Sequence, residues 1–475
     1  MDWIVLLPPV LAIGLAMSTR QIYLSLLAGL WLGTTILVGG NPVLGLRELA
    51  DQMVAVFTNE TNASILVFCL LVGSLVALVQ ASGGVRGFVA WARERGWGTS
   101  KRSAELLAWG TGLVMFVESN ISNLTVGAVS RPFFDELNLP REKLAYYCDA
   151  TCAPVCMMIP LNGWGAYVLG LVSAQDVAGS AVSVLVGGLL FNFFGIAAIL
   201  FSLGIALTGW GFGPMRRAEE RARERGELLR PGAQPMITED IARIEPPDNV
   251  VPRARHLLLP VGVMVAMIFV GLYVTGNGSL MQGSGATAVL WAVGTAVGMA
   301  LLLYVGPRLW RGASVLSLED AMDWVVKGAS GLVPVTFLLV LAFALGQVSQ
   351  ALEMGAYVSG VVGEGPAWWM PVTVFAVTCF VSFTLGSSWT AFAILIPVAL
   401  PLAQGLGLPP ALLLGTVLSG GLFGDHASPL SDTSIIASMA SACDHVDHIN
   451  TQMPYALVQA GLAALGFVVA GIWVG

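Results

Sequence analysis

Runs of about twenty apolar residues recur along this chain with short polar loops between them, and a hydrocarbon core roughly 30 Å thick needs a helix of about that length to cross it. Of the 475 residues 56% are hydrophobic and 11% charged, with a mean hydropathy of +0.79, whereas a soluble domain carries roughly 25% charge. The fold class expected is therefore an all-α polytopic membrane protein, embedded in the lipid bilayer of the plasma (inner) membrane. The net charge of −7 gives no indication of nucleic-acid binding, because in a membrane protein the placement of Lys and Arg matters more than the total. The six cysteines, Cys69, Cys148, Cys152, Cys156, Cys379 and Cys443, lie mostly in apolar runs without paired CxxC spacing, so neither a disulfide frame nor a zinc site is expected. The opening MDWIVLLPPVLAIGLAM has no positive n-region or cleavage site and reads as a retained first helix.

Spanning segments fall into two sets: 3–17, 20–38, 62–80, 140–175 and 181–208, then 256–275, 286–305, 331–349, 408–441 and 453–474. Between the third and fourth members of each set lies an extra apolar pair, 104–134 and 369–404, interrupted by small polar residues and read as a re-entrant hairpin. Ile159-Pro160-Leu161-Asn162 aligns with Ser428-Pro429-Leu430-Ser431 at a separation of 269. Between the hairpins an offset of 265 aligns Ser122, Thr125 and Pro132 with Ser387, Thr390 and Pro397. Five crossings per half is an odd number, so the second copy starts on the opposite side and the repeats are inverted, each with a re-entrant hairpin and a broken helix. The organisation expected is a first transmembrane repeat over 1–212, a charged linker over 213–255 and a second transmembrane repeat over 256–475.

Charge placement gives the sidedness. The linker carries nine Arg and eight acidic residues; if it is cytoplasmic, Arg86, Arg93, Arg95, Lys101, Arg102, Arg131, Arg141, Lys143, Arg308, Arg311 and Lys327 also fall inside, leaving Arg47 outside. This satisfies the positive-inside rule and makes both termini external. A partly helical tether is the plain reading of the linker. Segments near 46–57 and 316–328 are short and amphipathic and fit helices lying along the membrane surface.

The acidic residues placed at membrane depth are Glu118, Asp149, Asp425 and Asp432, with no Lys or Arg at comparable depth. A carboxylate near the bilayer centre costs about 2.5–3.5 kcal/mol on insertion scales, so each must hold a proton, a cation or a dense set of donors. Asp425 and Asp432 flank Pro429, which breaks the helix and frees carbonyls. With the hydroxyls of Ser428, Ser431 and Thr433 these oxygens suit a hard cation. Capping of two half-helices is the simpler alternative, but it does not require a second buried acid. His426 either relays protons or orients its acidic neighbour. Asp444, His445, Asp447 and His448 read as a solvated helix end rather than a metal motif.

In the first hairpin Glu118, Ser119, Asn120, Ser122 and Asn123 form a polar tip, matched by the uncharged Ser387, Ser388 and Thr390 in the second. Asp149, Thr151 and Asn162 flank Pro154 and Pro160 in the other broken segment. Such side chains are costly in an apolar hairpin unless they meet solute, ion or facing backbone.

At these motifs the sequence resembles the NhaC-type sodium/proton antiporter family. GDHASPLSDTSIIAS is similar to the family's GDHxSPxSDT signature, and RPFFDELNLPREKLAYYCDATCAPV to its RPxxDxxxxxREKLAYxxDxTxAPV stretch. The resemblance implies an inverted-repeat carrier, and ion binding at Asp425, Ser428, Asp432 and Asp149. Where many members read FFDDYANT, this chain reads Phe116-Val117-Glu118-Ser119-Asn120-Ile121-Ser122-Asn123, with one acid in place of two; that leaves room for a small organic solute, since the family includes exchangers of organic acids. A homodimer is a further expectation of the resemblance. The reading is a secondary transporter, not an enzyme, that exchanges sodium for protons by elevator-type alternating access. A sodium- or proton-coupled carrier of an organic acid or amino acid is the alternative. Neither has a cofactor, sodium and protons being cargo; there is no selectivity-filter repeat and no nucleophile–base pair.

Overall fold

The computed structural model describes residues 3–474 apart from 20, 95–99, 117–118, 176, 178, 236–249, 281, 307–314, 354–356 and 358–366; at several positions, Asn120 and Asp432 among them, it describes the backbone only. Every regular element among the described residues is a helix. The first half runs through α1 (Leu7–Thr19), α2 (Ile22–Leu37), α3 (Pro42–Thr58), α4 (Glu60–Ala81), α5 (Gly84–Glu94), α6 (Lys101–Val114), α7 (Ser119–Glu136), α8 (Arg141–Met158), α9 (Gly163–Ser173), α10 (Ala181–Leu190) and α11 (Phe193–Thr208). The linker opens with α12 (Gly213–Arg225). The second half contains α13 (Arg255–Thr275), α14 (Gly285–Tyr304), α15 (Leu318–Gly331), α16 (Val333–Ala351), α17 (Met370–Leu385), α18 (Ser388–Gly405), α19 (Pro410–Ala427), α20 (Asp432–Ser441) and α21 (His445–Val474). Among the described residues seven helices are long and apolar enough to cross a membrane, and counting two bent pairs as single spans gives nine.

The halves are inverted repeats, and their helix starts show the register. Lys101, Ser119, Arg141 and Gly163 each lie 269 residues before Met370, Ser388, Pro410 and Asp432. The hairpins therefore share the same offset as the broken helices, and the alignment of Ser122 with Ser387 is corrected. It slipped by one helical turn, the distance at which small polar residues recur on the same face. The expected single span over 181–208 is also broken: Asn192 ends α10 and caps α11, its Oδ1 accepting the N–H of Gly195 at 3.1 Å.

Water cannot satisfy helix ends inside a bilayer, so side chains do. Asn162 caps α9 and Ser431 caps α20, at equivalent places in the two repeats. The first pair, α8 and α9, bends by 45° at its break. α2 and α3 meet at 113°, which turns the amphipathic α3 across the direction of its neighbour. Its counterpart α15 lies backbone-to-backbone on α4: a Cβ on Gly73 would stand 2.2 Å from the Gly328 carbonyl oxygen, and Ser74 Oγ donates to the Val325 carbonyl at 2.8 Å.

Two packing groups result. α1–α4 and α13–α16 pack largely on one another, whereas α6–α8, α10, α11 and α17–α21 build the bundle around the breaks. Within that bundle the repeats interleave, because α20 packs between α7 and α8 of the other half, and α9 packs against α18.

Candidate functional site

Pro429 stops α19 from running into α20. The residues between them turn their polar groups inward, and Ser428, Ser431 and Thr433 are all buried. Ser428 Oγ accepts the N–H of Leu430 at 3.2 Å, while Ser431 Oγ accepts the N–H of Ser434 at 3.4 Å and shares a 2.8 Å hydrogen bond with Thr433 Oγ1. Asp425, 2% exposed, lies in the last turn of α19. Its Oδ1 accepts the N–H of Ser388 at 3.0 Å and its Oδ2 accepts the Ser388 hydroxyl, so the second hairpin is docked onto the break through the first residue of α18. Gly386, at φ +66, forms that tip; a Cβ there would stand 2.6 Å from the Leu430 carbonyl carbon. Ser387 caps α18, accepting from the N–H and the hydroxyl of Thr390 at 3.4 and 3.2 Å.

The first hairpin meets the same break from the other side. Asn123 Nδ2 donates to the Thr433 carbonyl at 3.1 Å. The Ser119 carbonyl accepts from Cys152 Sγ at 2.8 Å. Ser122 Oγ, Asn123 Oδ1 and Thr125 Oγ1 are buried without a hydrogen-bond partner among the described residues. The two hairpin tips thus engage the broken helices rather than chiefly each other. Glu118 lies outside the described residues, as do the side chains of Asn120 and Asp432.

Asn162 and Thr151 serve the architecture. Asn162 Nδ2 donates to the carbonyls of Phe116, Cys156 and Ile159 at 2.7, 2.8 and 2.9 Å, satisfying acceptors that Pro160 leaves open. Thr151 Oγ1 donates back to Tyr147 O at 2.6 Å.

Asp149, 1% exposed on α8, gathers His426, which the sequence reading named, together with three partners it missed, Ser434, His448 and Gln452. Its Oδ2 accepts from Ser434 Oγ at 2.7 Å and from Gln452 Nε2 at 2.6 Å. His426 Nδ1 stands 3.7 Å away and His448 Nε2 3.8 Å away. Ser434 Oγ also reaches the Asp425 carbonyl at 2.9 Å, so one hydroxyl joins the surroundings of both acids. His448 is fully buried, which corrects its placement in a solvated helix end; Asp444 and Asp447 do face the linker, through Gln234 and Arg230. Among the described residues no group of three or more His, Cys, Asp or Glu could hold a metal ion. The sequence signal for the missed residues was the spacing of His448 and Gln452, which shares one helix face.

The buried Lys143 is neutralised by Glu105 at 2.9 Å and Glu219 at 2.7 Å. The hydrogen bonds described at Asp425 and Asp149 come from hydroxyl, amide and backbone N–H donors.

A model of the Na+/H+ antiporter family matches residues 155–472. The chain is 30% identical to an uncharacterized protein of Haemophilus influenzae, over 98% of this chain and 90% of that protein. It is also 26% identical to the arginine/ornithine antiporter ArcD of Halobacterium salinarum, over 46% of this chain and 42% of that one. In structure it is similar to the YdaH transporter of Alcanivorax borkumensis, with a TM-score of 0.51 and 14% identity over 91% of this chain and 89% of that one, a likeness of fold.

Proposed function

The chain belongs to the Na+/H+ antiporter family, and from that premise we propose that it exchanges sodium for protons, with Asp425 and Asp432 at the sodium step and Asp149 at the proton step. The observation that carries this reading is the burial of two acids at the helix breaks, Asp149 and Asp425, among hydroxyl, amide and imidazole groups. Asp425 accepts from the N–H and hydroxyl of Ser388, and the adjoining break carries the buried hydroxyls of Ser428, Ser431 and Thr433, oxygens of the kind a hard cation prefers. Asp149 instead stands within 4 Å of two imidazoles, groups that titrate near neutral pH in water. This moves Asp149 from the sodium-binding set of the sequence reading to the proton.

The packing supports alternating access by an elevator-type movement, in which the interleaved bundle of hairpins and broken helices would shift against α1–α4 and α13–α16, with α3 and α15 as connecting arms. The linker side is assigned to the cytoplasm and both termini to the exterior. In support, Arg221 pairs with Glu142 at 2.9 Å and Arg230 with Asp447 at 2.9 Å, which gathers on one face the loops that the positive-inside rule groups together.

The test is a sodium jump outside liposomes that contain a pH dye and no added solute. As sodium enters, the parent should move protons outward and raise the internal pH. Asp425→Asn and Asp432→Asn should abolish the signal while expression is intact; a signal that persists in both would refute the assignment.

A second reading, exchange of a small organic acid or amino acid, has its own observation in the buried oxygens of Ser122, Asn123 and Thr125 on the first hairpin, which have no hydrogen-bond partner among the described residues. The similarity to a protein named an arginine/ornithine antiporter points the same way. Sodium-driven proton movement that requires added arginine or another solute would favour it.

A further inference from the structure

We propose that His445, Ser438 and His448 form a proton relay between Asp149 and the face of the protein that carries the linker. The inference rests on the sodium–proton reading above and specifies how protons reach its buried acid. His445 opens α21 and is partly exposed, whereas His448, one turn on, is fully buried. Both rings turn their Nδ1 toward Ser438 Oγ on α20, at 3.0 and 2.8 Å.

Donor counting shows why this arrangement takes up a proton. His445 Nε2 lies 2.9 Å from the Pro429 carbonyl, which only accepts. His448 Nε2 lies 3.0 Å from Gln452 Oε1. The Gln452 amide is oriented by its Nε2, which donates to Asp149 Oδ2 and to the His426 carbonyl at 2.6 Å each, so its oxygen must accept from His448. Each neutral imidazole has one N–H, and in both rings it is committed at Nε2. Two bare Nδ1 atoms then face a single hydroxyl proton, for which the Ser434 carbonyl also competes at 2.8 Å. One added proton completes the set.

The loading step balances as follows. A solvent proton makes His445 an imidazolium, its Nδ1–H donates to Ser438 Oγ, and the Ser438 O–H donates to His448 Nδ1. Transfer along these two bonds returns His445 and Ser438 to their neutral forms and leaves His448 protonated on both nitrogens. Its Nε2, 3.8 Å from Asp149 Oδ2, needs to move about 1 Å to reach hydrogen-bond distance and share that proton with the carboxylate. Release runs the same steps backwards. His426 Nδ1 also stands 3.7 Å from Asp149 Oδ2, and its ring nitrogens have no hydrogen-bond partner among the described residues.

The experiment compares sodium-driven proton flux in liposomes for the parent, His445→Ala and Ser438→Ala, each checked for an unchanged melting temperature. Loss of a positioned proton carrier should slow the flux about tenfold or more in both variants. Imidazole added on the linker side should restore His445→Ala and leave Ser438→Ala slow, because the diffusible base replaces the outer ring but not the buried hydroxyl. Flux within twofold of the parent in both variants, or His445→Ala slow and unmoved by imidazole, overturns the relay. A parent that shows no sodium-driven proton flux overturns the reading beneath it instead.

Discussion

Asp425 is held by a residue 37 positions away, the Ser388 that opens α18. Hydrogen bonds to a charged group contribute about 1.5–3 kcal/mol, so Ser388→Ala, which removes the hydroxyl and keeps the N–H, should favour the protonated acid. Proton competition then strengthens and the apparent sodium affinity should fall about tenfold, read from sodium-dependent flux at fixed pH. Lys143 makes the contrasting case, a buried cation whose two carboxylates are both protein. Lys143→Met should lower stability by about 3–5 kcal/mol, since an uncompensated buried charge remains; Glu105→Gln in the same chain should recover part of it in a thermal melt in detergent. The acids at the breaks meet hydroxyl, amide and imidazole groups instead. Much of this site was legible in the sequence: Asp425, Ser428 and Ser431 stand out as polar residues beside a proline in an apolar run. Gln452 and Ser434 did not, because each sits among other polar residues near the start of its helix, and their meeting with Asp149 depends on three helices converging. His448 was obscured by its acidic neighbours, although Asp444 and Asp447 share one helix face and His445, His448 and Gln452 another.

At the scale of elements, the constant separation of 269 residues between equivalent helix starts extends from the hairpins to the broken helices. Motif matching found it at the breaks, where Pro160 and Pro429 are unmistakable, and slipped by a turn in the hairpins, where serines and threonines repeat. The break at Asn192 carries no proline; its signal is one amide in an apolar run, tied to Ser419 Oγ at 3.0 Å. The hairpin tip at Gly386 has no such tolerance for slippage. Its φ of +66 and the 2.6 Å approach of a Cβ to Leu430 exclude a side chain. The left-handed conformation alone costs a non-glycine residue about 1–2 kcal/mol, so Gly386→Ala should displace Ser388 from Asp425 and abolish exchange, with a lower melting temperature as the accompanying measurement.

For the whole molecule, the linker is more than a loose tether over its first half. α12 and the residues after it lie on the ends of α8 and α21, and the Arg141 N–H donates to the Leu228 carbonyl at 3.1 Å. Burial alone would raise the Asp444 carboxyl, but the N–H groups of Gln234, Asp447 and Val446, together with Arg230, hold it below its ordinary value. A carboxylate lowered in this way supports docking at pH above its free value of about 3.9, and that support is lost as pH falls through the lowered value. Docking should therefore hold steady across neutral pH. It should weaken in about 1 M salt, where the screening length falls to about 3 Å, and faster amide exchange over 226–235 would report it. The sequence showed the linker's charge balance but not its partners, since the Arg and acidic residues that pair lie on different helices.

The account depends on sodium binding at Asp425 and Asp432 competing with protonation of the buried acids, Asp149 among them. The most direct measurement is the dissociation constant of radioactive sodium for the purified protein across a pH series. One competing proton predicts an affinity that falls about tenfold for each pH unit of acidification below the site's own titration, with binding absent in Asp425→Asn. Sodium binding that is independent of pH, or that survives in Asp425→Asn, would contradict it.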